Sequence, residues 1–380
     1  MNILFICGCQ EPGKDGVGDY TLILAHELLK SGIKVAVLSY NDVYINNFIK
    51  EENRELQILR LGKNLSSRKR KDLAKAFINT NKPEFISLQF VPYAYHPKGL
   101  PWNLGYELSI LGKNIPWHIM FHELWIEGKD LKSRLIAHLQ EKIIKRLIHH
   151  LDPALVHTSI PIYQSRLENL GIDAMPLPIF SNIKLNRNQS LQVTKTFNIT
   201  FFSQLTLRAS ILEFLIVLID ELKNKQINFK ILIIGGSKQA KLELESFFNN
   251  VPDIFNNLEQ VEFLPADELS QRIKTSNLGI TPVPRHLLGK SGSVATFLSH
   301  GVPIAAPYIK SGYHCENSGF FSTKVANSIV TIPSLDKIET ATLITREIAN
   351  TVTASSIVEM FKNDLELISS IQEINLNMIT

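Results

Sequence analysis

The chain has 380 residues, enough for about two domains. Its 44% hydrophobic and 20% charged residues are an ordinary globular balance, which excludes disorder as the main theme, and 19 Gly and 17 Pro without a period exclude a collagen-like or low-complexity chain. The net charge of +4 is uneven: residues 1–190 carry 24 Lys+Arg against 18 Asp+Glu, the remainder 16 against 18, so the first half suits an anionic ligand or an anionic membrane surface and is too weakly basic to argue for nucleic acid.

Three cysteines, Cys7, Cys9 and Cys315, cannot make a disulfide framework and point to a reducing compartment. The opening MNILFICGCQ has about six apolar residues with no basic run ahead of them, which reads as a buried strand rather than a signal peptide or a membrane span. A glycine-rich loop follows, then a helix from Tyr20 to Lys30 closed by Gly32, then a strand from Lys34 to Ser39. That βαβ unit implies a parallel sheet. Further strands are predicted at 86–90, 118–121 and 154–157, with an amphipathic helix over 132–150.

Residues 183–195 (IKLNRNQSLQVTK) are polar and without periodicity, and read as an interdomain linker. The alternation then restarts. Strands are predicted at 197–202, 229–234, 261–263, 278–281 and 302–306, with helices at 210–223, 269–275, 294–300 and 355–368. The expected fold class is therefore α/β, with two Rossmann-like, doubly wound parallel-sheet domains. Residues 1–182 form the first and 196–355 the second, and a C-terminal helix of about 356–380 packs back on the first. Ligands of such sheets bind beyond the carboxyl ends of the strands, and two such faces opposed would make a cleft.

Several motifs fall at those strand ends. Gly16-Val-Gly18 enters the first helix, where glycines let backbone amides approach an anion. The dinucleotide fingerprint is not met, because about eight residues intervene after the strand and Thr21 holds the third glycine position; glycines that only shape a turn fit as well. Gln89 to Gly99 carries aromatics and a histidine that could flank a sugar or an apolar acceptor, or simply pack their own loop. In Trp117 to Trp125, His118 reads as a core residue. His122 and Glu123 come at the strand's carboxyl end, where a histidine can donate to a substrate and a neighbouring acid can set its tautomer. The His118–His122 spacing serves a metal on a helix; on a strand with no third ligand, no metal is expected.

Arg208 starts a helix, where a cation is poorly placed for the helix dipole and a bound phosphate would relieve the conflict. The richest segment is Thr281 to Thr296. There Gly289-Lys-Ser-Gly-Ser293 opens a short helix, so that free amides, the Ser291 and Ser293 hydroxyls and the Lys290 ammonium converge as a nucleoside diphosphate requires. The GxxxxGK spacing of a P-loop is absent.

Over nearly the whole chain these elements resemble the retaining glycosyltransferases of two-domain GT-B architecture, family-4 type. The carrying residues are GVGDYT, FHELW, His157-Thr-Ser159, Gly235-Gly236, Val261-Glu-Phe-Leu-Pro265 and, most specifically, Ser299-His-Gly-Val-Pro-Ile-Ala-Ala306. The resemblance implies that Gly16 and Gly18 face the donor phosphate and the acceptor, and that His122 touches the donor sugar. Arg208 would stand for the family lysine at the diphosphate and Gln204 for the family arginine. Phe263 and Leu264 would line the base, and Ser293 and Val294 would reach the phosphates. Two glutamates usual in the family are replaced by Leu288 and Thr296. Thr296 is then expected to meet the ribose weakly or through water, and Arg285, His286 and the Gly289 amide to read the sugar.

The implied function is metal-independent transfer, with retention, of a sugar from a nucleotide-diphosphate sugar to a glycan, lipid or small-molecule acceptor, without a cofactor. The catalytic residues would be His122, Arg208 and Lys290. A non-catalytic sugar-nucleotide or glycan-binding protein is the alternative. A sugar-nucleotide epimerase ranks last, since only Glu123 is an obvious carboxylate. Arg68-Lys-Arg-Lys71 and Lys142 to Leu147 allow peripheral contact with an anionic membrane, or are solvated helix faces. The expected location is cytoplasmic, with peripheral contact at the inner membrane face.

Overall fold

The structure, a computed structural model, describes residues 1–52, 56–128, 130–185, 196–202, 206, 208–235, 246–248, 251–261, 264–313 and 319–379. The chain divides into two compact units: Met1–Ser159 with Tyr163–Leu177 and Ile357–Thr380, and Ile160–Ile162 with Pro178–Ser356.

The first unit holds an eight-stranded sheet. Its strands are β1 (Asn2–Cys7), β2 (Lys34–Asp42), β3 (Phe48–Glu52), β4 (Gln57–Gly62), β5 (Phe85–Phe90), β6 (Trp117–Phe121), β7 (Leu155–Thr158) and β8 (Met175–Pro176). Their order is β3-β4-β2-β1-β5-β6-β7-β8. All pairs are parallel except β3 with β4. That antiparallel edge departs from the purely parallel expectation, because only four residues separate β3 from β4 in sequence, too few for the crossover that a parallel neighbour needs. β1, β5 and β6 are buried along almost their whole length, as strands covered on both faces must be. The crossovers include α1 (Gly16–Lys30), α2 (Ser67–Asn81), α3 (Leu104–Leu111) and α4 (Leu131–Leu151).

The second unit holds six parallel strands: β9 (Phe197–Phe202), β10 (Phe229–Ile234), β11 (Leu258–Val261), β12 (Leu278–Ile280), β13 (Ile304–Ala305) and β14 (Ile329–Val330). They run β11-β10-β9-β12-β13-β14. Counted within the unit this is the order 3-2-1-4-5-6, which reverses between β9 and β12. Alternation divides the core between the sheet's faces. Ile231 and Ile233 join α5 (Ala209–Asn224) through Phe214, Leu215 and Leu218, while Leu232 and Ile234 share a cluster with Val294, Phe297 and Leu298 of α6 (Gly292–Ser299). Gly279 lets α6 come close: a Cβ there would lie 2.8 Å from the Phe297 ring.

The terminal helix α7 (Ala354–Ile379) buries Ile357, Val358, Phe361 and Leu365. The Phe361 ring lies 6.1 Å from Phe5, 4.9 Å from His118 and 6.1 Å from His157. Its burial seals one face of the first sheet. Phe361→Ala should therefore lower stability by about 3–5 kcal/mol, read as a lower urea midpoint at unchanged m-value.

Candidate functional site

In the second unit the two strands flanking the order reversal each lead into a helix. After β9, Arg208 occupies the N-cap position of α5, extended and without a side-chain cap bond. Its guanidinium lies 3.8 Å over the Tyr308 ring. Arg208 Nε and the Oγ of Ser210, in the first turn, are both buried and meet no hydrogen-bond partner among the described residues. After β12, a 3-10 helix (Arg285–Lys290) delivers the chain to α6. Arg285 donates Nε–H to the Ala306 carbonyl at 2.8 Å and its backbone N–H to the Tyr308 carbonyl at 3.2 Å. Both arginines are thus anchored on the segment just past β13. Ser291 caps α6 by accepting from the Val294 amide at 3.4 Å, and its hydroxyl lies 3.0 Å from that of Ser293. Lys290, half-buried, directly precedes the cap. Two helix N-termini, with their partial positive charge, therefore sit at neighbouring strand ends beside Arg208, Arg285 and Lys290.

Other expected residues fall elsewhere. Gln204 and Phe263 lie outside the described residues. Leu264, Leu288 and the Val294 side chain are core members, so only the Val294 backbone faces the helix end. The Gly289 amide is spent on the Gly319 carbonyl at 3.1 Å and cannot read a sugar as expected. His286 is 2% exposed and stacks on Tyr313 at 3.6 Å. Thr296 corrects the expectation of a ribose contact. It is 1% exposed, and its hydroxyl donates to the Gly292 carbonyl at 2.8 Å and lies 2.8 Å from Ser181 Oγ. The sequence reading missed Ser210 and Tyr308. Ser210 sits in a helix-start pattern that could have flagged it; Tyr308, 100 positions from Arg208, carries no such signal.

The first unit's strand ends have the opposite electrostatic character. Asp15 caps α1, its carboxylate accepting from the amides of Val17 at 2.9 Å and Gly18 at 3.3 Å. Asp19, in the helix's first turn, accepts from the Gly13 amide. The Gly18 amide, expected to meet a phosphate, is therefore already held by Asp15, and an anion there would meet two carboxylates. Gly18 is needed for packing, since a Cβ would lie 2.4 Å from the Cys9 carbonyl. The loop is tied down by Asp42, fully buried, which accepts from Arg60 Nε at 2.8 Å and from the amides of Gln10 at 3.2 Å and Tyr44 at 3.1 Å. Arg60 also reaches Glu11 at 2.6 Å. Burial alone would raise the Asp42 carboxyl, but the Arg60 bond and the two amides more than offset it and hold it below the ordinary range. Burial pushes the Cys9 thiol up to about 12 and the Cys7 thiol higher still, so both stay neutral.

His122 follows β6, with its amide on the Phe90 carbonyl at 3.1 Å. The residue is 8% exposed. Nε2 lies 2.8 Å from Gln89 Oε1, and Tyr20 packs against the ring at 5.0 Å, edge to face. Glu123 is half-buried. His118 is a core histidine, as expected, at 1% exposure. In the aromatic loop after β5, Tyr95 packs back on the strand, stacking on Phe90 and donating to the Gln89 carbonyl at 3.1 Å, while Tyr93 is exposed. Of the basic run on α2, Arg70 binds the Gly62 and Lys63 carbonyls, Lys71 pairs with Glu107 at 3.3 Å and Lys69 lies over Phe48. Among the described residues no three His, Cys, Asp or Glu side chains gather as metal ligands would, and no helix is long and apolar enough to cross a membrane.

The chain has the two-domain α/β fold of GT-B glycosyltransferase structures. Sucrose-phosphate synthase from Thermosynechococcus elongatus matches it with TM-score 0.57 at 15% identity, over 100% of this chain and 97% of that one. The catalytic domain of starch synthase IV from Arabidopsis thaliana, bound to ADP and acarbose, matches with TM-score 0.56 at 11% identity, over 97% and 99%. A putative UDP-N-acetylglucosamine 2-epimerase from Listeria monocytogenes matches with TM-score 0.57 at 9% identity, over 98% and 97%. At these identities the likeness is one of fold, and the fold is shared by transferases and an epimerase. No protein-family model and no curated protein sequence matches the chain.

Two outcomes follow from the first unit. Arg60→Ala leaves the Asp42 charge buried and unpaired, which should cost about 3–5 kcal/mol at pH 7. Because the folded Asp42 pKa is depressed, its stabilisation is present above the unfolded value of about 4 and lost as pH falls through the folded value. The gap between wild type and Arg60→Ala in urea midpoint should therefore narrow on acidification from neutral pH to about 3. His122→Ala strands Gln89 Oε1 and should lower stability by about 1–3 kcal/mol, so any activity assay on it needs a melting curve beside it.

Proposed function

We propose that this protein is a retaining, metal-independent glycosyltransferase that takes a sugar from a nucleotide-diphosphate sugar. One observation carries the reading. The second unit brings two helix N-termini, one entered at Arg208 and one at Lys290-Ser291, to the carboxyl ends of β9 and β12, where the strand order reverses. Open α/β sheets bind ligands at that reversal, and helix N-termini bind anions. The ADP in the starch synthase structure supports a nucleoside diphosphate as the ligand class.

In this reading Arg208, Lys290 and the free amides at the start of α6 stabilise the charge that develops on the leaving diphosphate, usually the largest catalytic contribution. The sugar's anomeric C–O bond to phosphate breaks and a bond to the acceptor oxygen forms on the same face. The acceptor's proton passes to a leaving-phosphate oxygen, so no side chain is needed as a nucleophile. The Ser291 and Ser293 hydroxyls orient the phosphates. His122, at the end of β6, is assigned a hydrogen bond to the donor sugar. The acceptor is a glycan, a lipid or a small molecule.

Leu288 and Thr296 favour a second reading, a non-catalytic binder on the same fold. Both are buried, and neither offers a carboxylate to a sugar or ribose hydroxyl. Release of free sugar from a panel of nucleotide sugars separates the readings: turnover supports the enzyme, and saturable binding without turnover supports the binder.

Calorimetric titration with ADP and UDP tests the site itself. Arg208→Ala and Lys290→Ala should each remove a charge-assisted bond of roughly 1.5–3 kcal/mol, about 10- to 100-fold in affinity. Binding should also weaken with added salt. Unchanged affinity in both variants would sink the assignment.

A further inference from the structure

One face of the first sheet carries a polar line through an otherwise apolar layer. Ser87 and Gln89 project from β5, His118 from β6 and His157 from β7, and all four are at most 1% exposed. Register places them together: Ser87 pairs with His118, and His118 pairs with Leu155, two residues before His157 on the same face. Helix α7 covers this face with Phe361 and ends the line with Asp364.

The contacts are continuous. His157 Nε2 lies 3.2 Å from Asp364 Oδ2, a short but bent approach in which the N–H points off the oxygen, so the pairing is electrostatic rather than a well-aligned hydrogen bond. His157 Nδ1 lies 3.1 Å from His118 Nε2, and His118 Nδ1 lies 2.7 Å from Ser87 Oγ. Ser87 Oγ accepts from Gln89 Nε2 at 2.8 Å, and Gln89 Oε1 lies 2.8 Å from His122 Nε2.

We propose that Asp364 sets the tautomer of His122 through this one-way line, an electrostatic contact at His157 followed by hydrogen bonds from His157 to His122. An ionised carboxylate only accepts, so the nitrogen facing it carries the proton. With His157 neutral, its Nδ1 is then bare and takes the proton of His118 Nε2. His118 Nδ1 is bare in turn and takes the Ser87 hydroxyl proton. Ser87 Oγ takes an amide proton of Gln89, which aims the Gln89 carbonyl at His122 and calls for a proton on His122 Nε2. His122 therefore presents Nδ1 as its lone-pair nitrogen. Every link donates towards Asp364, and the opposite polarity would set a lone pair against the carboxylate. Burial, then the neighbouring His157 and His122, hold His118 well below the ordinary histidine range, which keeps it neutral as the chain requires. Asp364, His157, His118, Ser87 and Gln89 are on this view positioning residues. That they thereby orient a donor-sugar contact rests on the role proposed above for His122; the tautomer assignment itself does not.

The test is long-range proton–nitrogen correlation spectroscopy on ligand-free, full-length protein with nitrogen-labelled histidine, where protonated and bare ring nitrogens resonate far apart. Wild type should show His157, His118 and His122 all protonated on Nε2 only. Asp364→Lys puts a donor at the end of the line, and all three rings should switch to Nδ1–H. Adding Ser87→Ala cuts the line, so His157 and His118 should still switch while His122 keeps Nε2–H. Should Asp364→Lys fail to fold, Asp364→Leu removes the acceptor, and both tautomers should then coexist at His157. A doubly protonated His157 in wild type overturns the proposal. So do unchanged tautomers in the folded Asp364 variants, or a His122 response that survives Ser87→Ala. The spectra need no substrate, so a failed transferase assay leaves this result standing, and unchanged tautomers count against the relay even in an active transferase.

Discussion

A parallel strand must be followed by a crossover that returns the chain to the same end of the sheet, and here that constraint places everything else. Each crossover helix begins at the carboxyl ends of the strands, so its unpaired amides and partial positive charge collect along one line. Arg208 and Ser291 are far apart in sequence, yet β9 and β12 are neighbours and bring both helix starts to the strand-order reversal. No direct contact between the two segments is needed for this.

The same topology in the two units carries different electrostatics. In the second unit the strand ends hold Arg208, Arg285, Lys290 and serine hydroxyls. In the first they hold Asp15, Asp19 and the buried Asp42, with Asp15 already occupying the amides that an anion would use. Yet the first half of the chain is the more basic by count. Much of that charge lies on α2 and α4, where side chains such as Arg70, Lys71 and Lys145 bind nearby carbonyls and carboxylates. Net charge over a segment therefore says little about the sign at its site, because helix faces and strand ends are set by different residues.

The buried polar line under α7 shows what a sheet face demands of such groups. Polar atoms taken from water cost about 1–3 kcal/mol each unless bonded, and a partly satisfied network is worse than an apolar one. From Gln89 to His118 each group finds a hydrogen-bond partner, His157 Nε2 faces the Asp364 carboxylate without an aligned bond, and Asp364, 21% exposed, keeps the terminal charge near solvent. The terminal helix thus does more than cover Phe5 and His118: it supplies the acceptor that gives the network a direction.

Much of this architecture was legible in the sequence. Apolar runs at β1, β5, β6, β9 and β10, alternating with helical periodicity, are enough to give two α/β units, because burial of both sheet faces leaves a continuous hydrophobic signature. The short strands β8, β13 and β14 and the antiparallel pair β3–β4 were missed or only approximated, being too brief for periodicity to show. Strand-end placement of His122, Arg208 and Ser291 followed from chain order alone. What only the tertiary structure decided is which polar atoms are already spent: Thr296 on Gly292 and Ser181, the Gly289 amide on Gly319, and His122 Nε2 on Gln89 Oε1. Those partners come from distant segments or from backbone carbonyls, and residue spacing carries no record of them, because hydrogen bonds are settled by distance and direction in the folded chain.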